Sequence, residues 1–404
     1  MTQQNILVLT YWSYPDALIQ TYTLPYLRII KKVNDRNSLT LVTLEKSKHV
    51  LQDSDNKIKR RLATDKIDWQ PYLYKPFGWR GLLMWLSAGF SLLRLIRKKK
   101  IHVIHCFCTP PGAIGYILSK ITNCKLILDS YEPHAEAMVE NGTWKKNGVA
   151  FKLLFALEKL QTKRATTIIA ATSGMHQYAQ QKYGVAISDY HVKPACVDLN
   201  LFSADILKDE ALLTELNLSG KIICVYAGKL GGIYLREEVL AFFKAATKQW
   251  GDLFRVLMLT NHTQQEIELD CAKAGLDPQI IITRFVAHKD VPRYMALGHF
   301  GITPVKPVPT KKYCTPIKDG EYWALGLPVV IPAHISDDSD IILQHRAGAV
   351  LNALTQSEYE RALIEIDTIL KQPESETKSR IRNLAITYRN FQIAHQVYGT
   401  IYSL

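Results

Sequence analysis

The chain has 404 residues, 47% hydrophobic, 10% aromatic and 22% charged, with a mean hydropathy of −0.05. These values exclude a disordered chain and an integral membrane bundle, and the length suits two globular domains, each with its own core. The net charge of +13 sits in one half: residues 1–200 hold 28 Lys/Arg against 14 Asp/Glu, and the remainder holds 22 against 23. A basic first half points to an anionic partner: a membrane surface, a nucleic acid or a phosphorylated substrate.

In chain order, the N-terminal MTQQNILVLTYW lacks the basic and long apolar regions of a signal peptide, so a cytoplasmic location is expected. Short apolar runs rich in β-branched residues predict strands at 6–10, 39–44, 101–106, 126–129 and 168–171. Helical patterns fall between them, at 22–33, 77–100 and 148–165. Strands apolar on both faces and separated by helices indicate a parallel sheet covered on two sides. Segment 77–100, FGWRGLLMWLSAGFSLLRLIRKKK, is interrupted by Arg94 and is too short an apolar run to span a bilayer. Two readings stay open for it. It is a domain helix with a basic end, or an interfacial helix that docks on anionic lipid through Arg94, Arg97, Lys98, Lys99 and Lys100. The seven cysteines form no CxxC pair and read as reduced thiols, with Cys106 and Cys108 on one strand face.

The pattern then restarts. Strands are expected at 222–227, 254–259, 280–283, 301–304 and 329–331, with helices at 234–249, 263–275, 290–297 and 316–325. Two tandem α/β units of Rossmann-like type follow, facing across a cleft, and such folds bind ligands at the carboxyl ends of their strands. The expected division is 1–195, 196–376, and a terminal helical segment 377–404 that packs back on the first domain. Residues 193–202, KPACVDLNLF, form the connection.

The most informative segment is 311–335, KKYCTPIKDGEYWALGLPVVIPAHI. Thr315 is expected to cap a helix with Pro316 at its first position, and Gly326 and Pro328 stop it. Its N-terminus, opening from a strand-end loop, would present free amides to a phosphate. Glu321 lies one turn further in, placed either to accept hydrogen bonds from sugar hydroxyls or to be solvated. In the first domain, LILDSYEPHAEAMVENGTW follows a strand and carries Asp129, Glu132, His134 and Glu136. From the residues alone His134 reads as a structural histidine, Asp129 as a turn cap, and Glu132 and Glu136 as orienting or solvated groups. Asp53-x-Asp55 and Asp338-x-Asp340 read as polar loops, so no metal cluster is expected.

These residues carry a resemblance. TPIKDGEYWALGLPVV resembles the S-P-x-K-x-x-E-x-x-A-x-G-x-P-V-V signature of family 4 glycosyltransferases, which adopt the GT-B fold. KPACVDLNLF is similar to that family's P-N-G-V-D-x-x-x-F hinge, with Ala195 and Cys196 in place of Asn-Gly. VYAGKLGGIYLREE is similar to the opening of its second domain, and VAHKDVPRYMALGHFGITPV to the segment beneath the nucleotide. The resemblance implies that Glu321 binds the ribose of a sugar nucleotide. It implies that Thr315, Pro316, Ile317 and Lys318 meet the pyrophosphate or sugar, and that Lys229, after Gly228, neutralises the pyrophosphate. Tyr234 and Arg236 both fall where the family places its second cation. Tyr313 replaces a glutamate eight residues before Glu321, and Trp12-Ser13-Tyr14-Pro15 replaces a Gly-Gly loop. His134 matches the histidine beside the transferred sugar.

The expectation is a retaining, metal-independent glycosyltransferase without cofactor. It would move a sugar from a UDP- or GDP-sugar to a glycan or lipid-linked acceptor in bacterial surface-polysaccharide synthesis, at the inner face of the cytoplasmic membrane. A sugar-nucleotide epimerase on the same fold and a catalytically silent glycan-binding subunit are the alternatives. A nucleic-acid partner would explain the charge, but no recognition motif supports it.

Overall fold

The computed structural model describes residues 3–47, 50, 57–75 and 79–403, with only the backbone described at 79–82 and 84–86. The chain forms two units: one built from the chain up to Lys193 and from Gln392 onward, the other from Pro194–Phe391.

The first unit is a seven-stranded sheet. Its strands are β1 (Asn5–Leu9), β2 (Ser38–Glu45), β3 (Ile67–Leu73), β4 (Val103–Phe107), β5 (Lys125–Tyr131), β6 (Thr167–Ala170) and β7 (Tyr190–Val192). They lie in the order β3-β2-β1-β4-β5-β6-β7, all parallel. The central strands are apolar at consecutive positions because helices cover both faces, and every residue of β4 is buried. Where the sequence is less uniformly apolar, the expectation missed strands. β3 alternates Ile67 and Trp69 with Asp68 and Gln70 at the sheet edge, and β7 has three residues. β5 also runs further than expected, past an irregularity at Ser130, whose φ is +52°.

Strand order reverses between β1 and β4, which fixes where the helices lie. Right-handed crossovers place the helices Leu24–Val33 and Lys57–Thr64 on one face. They place Trp79–Lys98, Thr109–Thr122 and Val149–Arg164 on the other. Thr109–Thr122 packs between its two neighbours. Among the described residues no helix is long and apolar enough to cross a membrane. Residues 77 and 78, at the start of the segment 77–100, and the side chain of Arg80 lie outside the described residues. Lys99 does not belong to an exposed basic cluster as expected: it turns to the sheet, where it ion-pairs with Asp68 and donates to Thr40 Oγ1 at 3.1 Å.

Asp129 does not cap a turn. It is fully buried, 3.2 Å from Lys193 Nζ and 3.1 Å from His105 Nε2, and it accepts from Tyr398 Oη at 2.6 Å. Lys193 is itself fully buried, its ammonium 3.6 Å from the ring centre of Tyr26. Burial opposes charge on Asp129, but Lys193 and His105 outweigh it and hold the carboxyl well below the usual range. Tyr402 Oη lies 2.6 Å from His105 Nδ1, so the last helix, Phe391–Tyr402, is tied to this cluster twice. Cys108 falls just past β4 with φ +66°, rather than sharing the strand with Cys106.

The second unit is a six-stranded parallel sheet of β8 (Ile222–Ala227), β9 (Phe254–Leu259), β10 (Ile281–Arg284), β11 (Phe300–Ile302), β12 (Val329–Pro332) and β13 (Gly348–Leu351). Their order is β10-β9-β8-β11-β12-β13, with the reversal between β8 and β11. The helix Glu374–Tyr388 stays with this unit because Ile381, Leu384 and Ala385 bury in its core. The chain therefore returns to the first unit at Gln392, later than the expected 377. Asp338 and Asp340 lie in the helix Asp338–His345, not in a loop, and Asp338 is buried in an ion pair with Arg389. Asp53 and Asp55 lie outside the described residues. Among the described residues no group of three His, Cys, Asp or Glu is placed to hold a metal ion.

Candidate functional site

The helix Ile317–Ala324 stands at the carboxyl end of β11. It starts one residue later than expected: Pro316, with φ −66° and ψ 123°, is its N-cap, and no side chain caps it. The amides of its first turn therefore have no intrahelical acceptor, which gives that end partial positive charge. Two aromatic residues fix the helix. Tyr322 lies flat on β11, so close that a Cβ on Gly301 would stand 2.7 Å from Tyr322 Cγ. Its hydroxyl accepts from the Ala227 amide at the end of β8, 3.2 Å away. Trp323 is fully buried, with the Arg389 guanidinium 5.3 Å from its ring.

This anchoring sets the positions of Lys318 and Glu321. Lys318 reaches over the loop that follows β8. Its Nζ lies 3.2 Å from Tyr234 Oη and 4.6 Å from that ring's centre, and its Cε lies against Gly228. Gly228 has φ +155°, and the Lys229 carbonyl accepts from Tyr226 Oη at 2.8 Å. The Leu230 amide donates to His262 Nε2 at 3.1 Å, so side chains from the end of β9 brace the loop as well. Lys229 is exposed and makes no ion pair among the described residues. Arg236 is held differently: its Nε and Nη2 lie 2.7 and 2.6 Å from Asp270 Oδ2. Of Tyr234 and Arg236, it is Tyr234 that the fold brings to Lys318.

Glu321 is the least satisfied of these groups. Its side chain is 12% exposed, His288 Nε2 stands 3.9 Å from its Oε1, and no hydrogen bond reaches its carboxylate among the described residues. Beside these groups, Gly228, Lys229, Thr260, Asn261, Phe285 and Val286 line an open cavity of about 340 Å³ at the ends of β8, β9 and β10. Phe285 is 82% exposed there. Nothing in the sequence marked it, because an aromatic that follows a strand reads the same whether it is buried or exposed. Thr315, just before the helix, lies 3.5 Å from Ser336 Oγ.

In the first unit, Pro133 precedes the short helix His134–Glu140, which follows β5. His134 Nδ1 lies 3.5 Å from Glu132 Oε1, and both side chains are about one-third exposed. Glu136 orients neither of them: it accepts from Tyr178 Oη at 2.7 Å and from Lys182 Nζ at 3.1 Å. Sequence reasoning missed Glu158, which lies fully buried in the next helix. It accepts from the Ala135 amide at 2.8 Å and from Tyr183 Oη at 2.9 Å, which pins the turn that carries His134. Burial pushes its carboxyl up to about 7. Apolar and charged residues fall on every side of its helix, so nothing in the periodicity marks one Glu as turned inward. The loop after β1 is also fixed by a buried carboxylate: Glu45 accepts from Ser13 Oγ and from the Tyr14 amide, the latter at 3.0 Å.

Residues 50–196 match the family described as glycosyl transferase 4-like domain. No curated protein sequence matches the chain. Among solved structures, the chain is similar to Anabaena HepE in complex with UDP. The TM-score is 0.71 at 16% identity, over 99% of this chain and 100% of that one. It is also similar to sucrose-phosphate synthase from Thermosynechococcus elongatus, with TM-score 0.73 and 12% identity over 99% and 98%. WaaG, a glycosyltransferase involved in lipopolysaccharide biosynthesis, gives TM-score 0.69 and 11% identity over 98% and 99%. Two parallel-sheet Rossmann-like units in this order, each with its strand reversal, make this a GT-B fold.

Proposed function

We propose that the protein is a glycosyltransferase that moves a sugar, with retention of configuration, from a UDP- or GDP-sugar to a glycan or lipid-linked acceptor in surface-polysaccharide synthesis. The observation that carries this reading is Glu321: a nearly buried carboxylate with no hydrogen bond to it among the described residues. Such a group is costly unless a donor meets it, and the vicinal hydroxyls of a ribose are suitable donors. Within one helical turn of it, Lys318 and the free amides from Ile317 onward offer positive charge to a diphosphate, and Lys229 adds a second cation from the facing loop. Phe285 offers a ring face to the base. The similarity to structures containing UDP and UDP-glucose supports a nucleotide-sugar donor.

In this reading the two lysines and the helix amides stabilise the departing diphosphate, so no metal is required. His134, held near Glu132, hydrogen-bonds the transferred sugar, and the acceptor hydroxyl approaches the face from which the nucleotide leaves. Calorimetric titration of wild type and Glu321→Ala with UDP- and GDP-sugars tests the donor assignment. Loss of a hydrogen bond to a charged group is worth about 1.5–3 kcal/mol, so Kd is expected to rise roughly 10- to 100-fold. Equal affinity in the two proteins contradicts the role of Glu321.

A further inference from the structure

The helices Trp79–Lys98, Thr109–Thr122 and Val149–Arg164 form one layer on the first sheet, and the outward side of that layer has an unusual composition. In Thr109–Thr122 the exposed stripe is Ile117, Lys120 and Ile121, spaced three and four residues apart. In Val149–Arg164 it runs through Val149, Lys152, Leu153, Leu160 and Lys163. In Trp79–Lys98 it passes from Leu83 and Phe90 to Arg94, Arg97 and Lys98. Several of these apolar side chains are more than half exposed, with Phe90 at 69% and Val149 at 80%.

The three helices together contain a single acidic residue, Glu158, and it is buried. The layer therefore presents large apolar groups and cations with no exposed carboxylate between them. The helices on the opposite face of the same sheet provide the contrast. Lys57–Thr64 carries exposed Lys59, Arg60 and Arg61, yet neither it nor Leu24–Val33 exposes a large apolar side chain. Positive charge is general to this unit, whereas the pairing of charge with exposed apolar groups belongs to one face.

We propose that this three-helix face docks on an anionic lipid surface. Its apolar side chains enter the boundary between headgroups and acyl chains, and its lysines and arginines meet the lipid phosphates. A water-facing surface gains nothing from exposed Phe, Ile and Val, and a protein partner matched to it would need a comparably acidic apolar face. A bilayer with anionic lipid supplies both features over any area. The inference extends the expectation for residues 77–100 to two further helices, and it stands independently of the transfer reaction.

The test is flotation with vesicles of phosphatidylcholine alone and with added phosphatidylglycerol, at low and high salt. Wild type is expected to float with the anionic vesicles only, and less at high salt. Ile121→Ser with Leu153→Ser, and separately Lys120→Ser with Lys152→Ser, are each expected to lower the bound fraction at least about fivefold. Lys59→Ser with Arg60→Ser, on the opposite face, is expected to leave most binding intact. All six side chains are exposed, and unchanged melting confirms that the variants fold. Absence of vesicle binding by wild type overturns the proposal, as does binding that survives the Ile121/Leu153 change. Sedimentation showing that this change only dissociates a dimer would assign the face to a second copy of the chain and overturn it equally.

Discussion

Lys318 lies across Gly228: a Cβ at that position would stand 2.7 Å from Lys318 Cε and 3.2 Å from its Nζ. The contact joins the start of the helix Ile317–Ala324 to the loop after β8, and the φ of +155° at Gly228 disfavours a side chain there in any case. Gly228→Ala is therefore expected to displace the Lys318 ammonium from its place beside Tyr234. Its loss from a bound diphosphate corresponds to about 1.5 kcal/mol, or roughly tenfold in nucleotide Kd. Titration with the nucleoside diphosphate checks this, and a melting curve confirms that the unit remains folded.

His134 is expected to act mainly on turnover, because its proposed contact is with the transferred sugar alone, while the groups proposed to hold the nucleotide stand in the second unit. His134→Ala should lower kcat by about 10²-fold or more, with donor KM changed by less than about threefold. Steady-state kinetics separate the two, and full activity in the variant removes His134 from the mechanism.

Glu158 makes stability depend on pH in a direction that can be stated. Its carboxyl is raised from 4.5 to about 7 in the folded chain by burial, so the folded state holds the proton more tightly than the unfolded one. Its contribution is fully present below about pH 4.5 and is lost as pH rises through about 7. Urea midpoints measured across this interval should fall with rising pH in wild type. Glu158→Gln, which keeps an acceptor for the Ala135 amide, should flatten that trend.

The Asp129–Lys193 pair behaves in the opposite sense. Asp129 is held below its ordinary value of 3.8, so its contribution is present above that value and disappears as pH falls through the lower folded-state range. Lys193→Met leaves Asp129 buried without its cation and is expected to cost about 3–5 kcal/mol, which chemical denaturation will register. The Lys193→Met, Asp129→Asn double variant should recover part of the loss.

The elements legible in the sequence were those whose burial imposes a pattern. β1, β4 and β8 are nearly continuous apolar runs because helices cover both sides, and Pro316, Gly326 and Pro328 punctuate the helix that carries Glu321. β3 and β7 were not legible because edge strands need not be apolar throughout. The candidate site divides in the same way. Lys229, Lys318 and Glu321 lie in motifs of local spacing, whereas Glu158, Glu45 and the pairing of Arg236 with Asp270 depend on contacts between distant segments. Asp129 was misread for that reason: its partners Lys193 and Tyr398 lie 64 and 269 residues away in the chain.

The central claim, that the second unit binds a sugar nucleotide through Glu321, is tested most directly by thermal shifts of wild type and Glu321→Ala with UDP, GDP, ADP and CMP. The account predicts that UDP or GDP raises the melting temperature of wild type, while the variant shows a much smaller rise at the same concentration. No shift with any nucleotide, or an equal shift in both proteins, would contradict it.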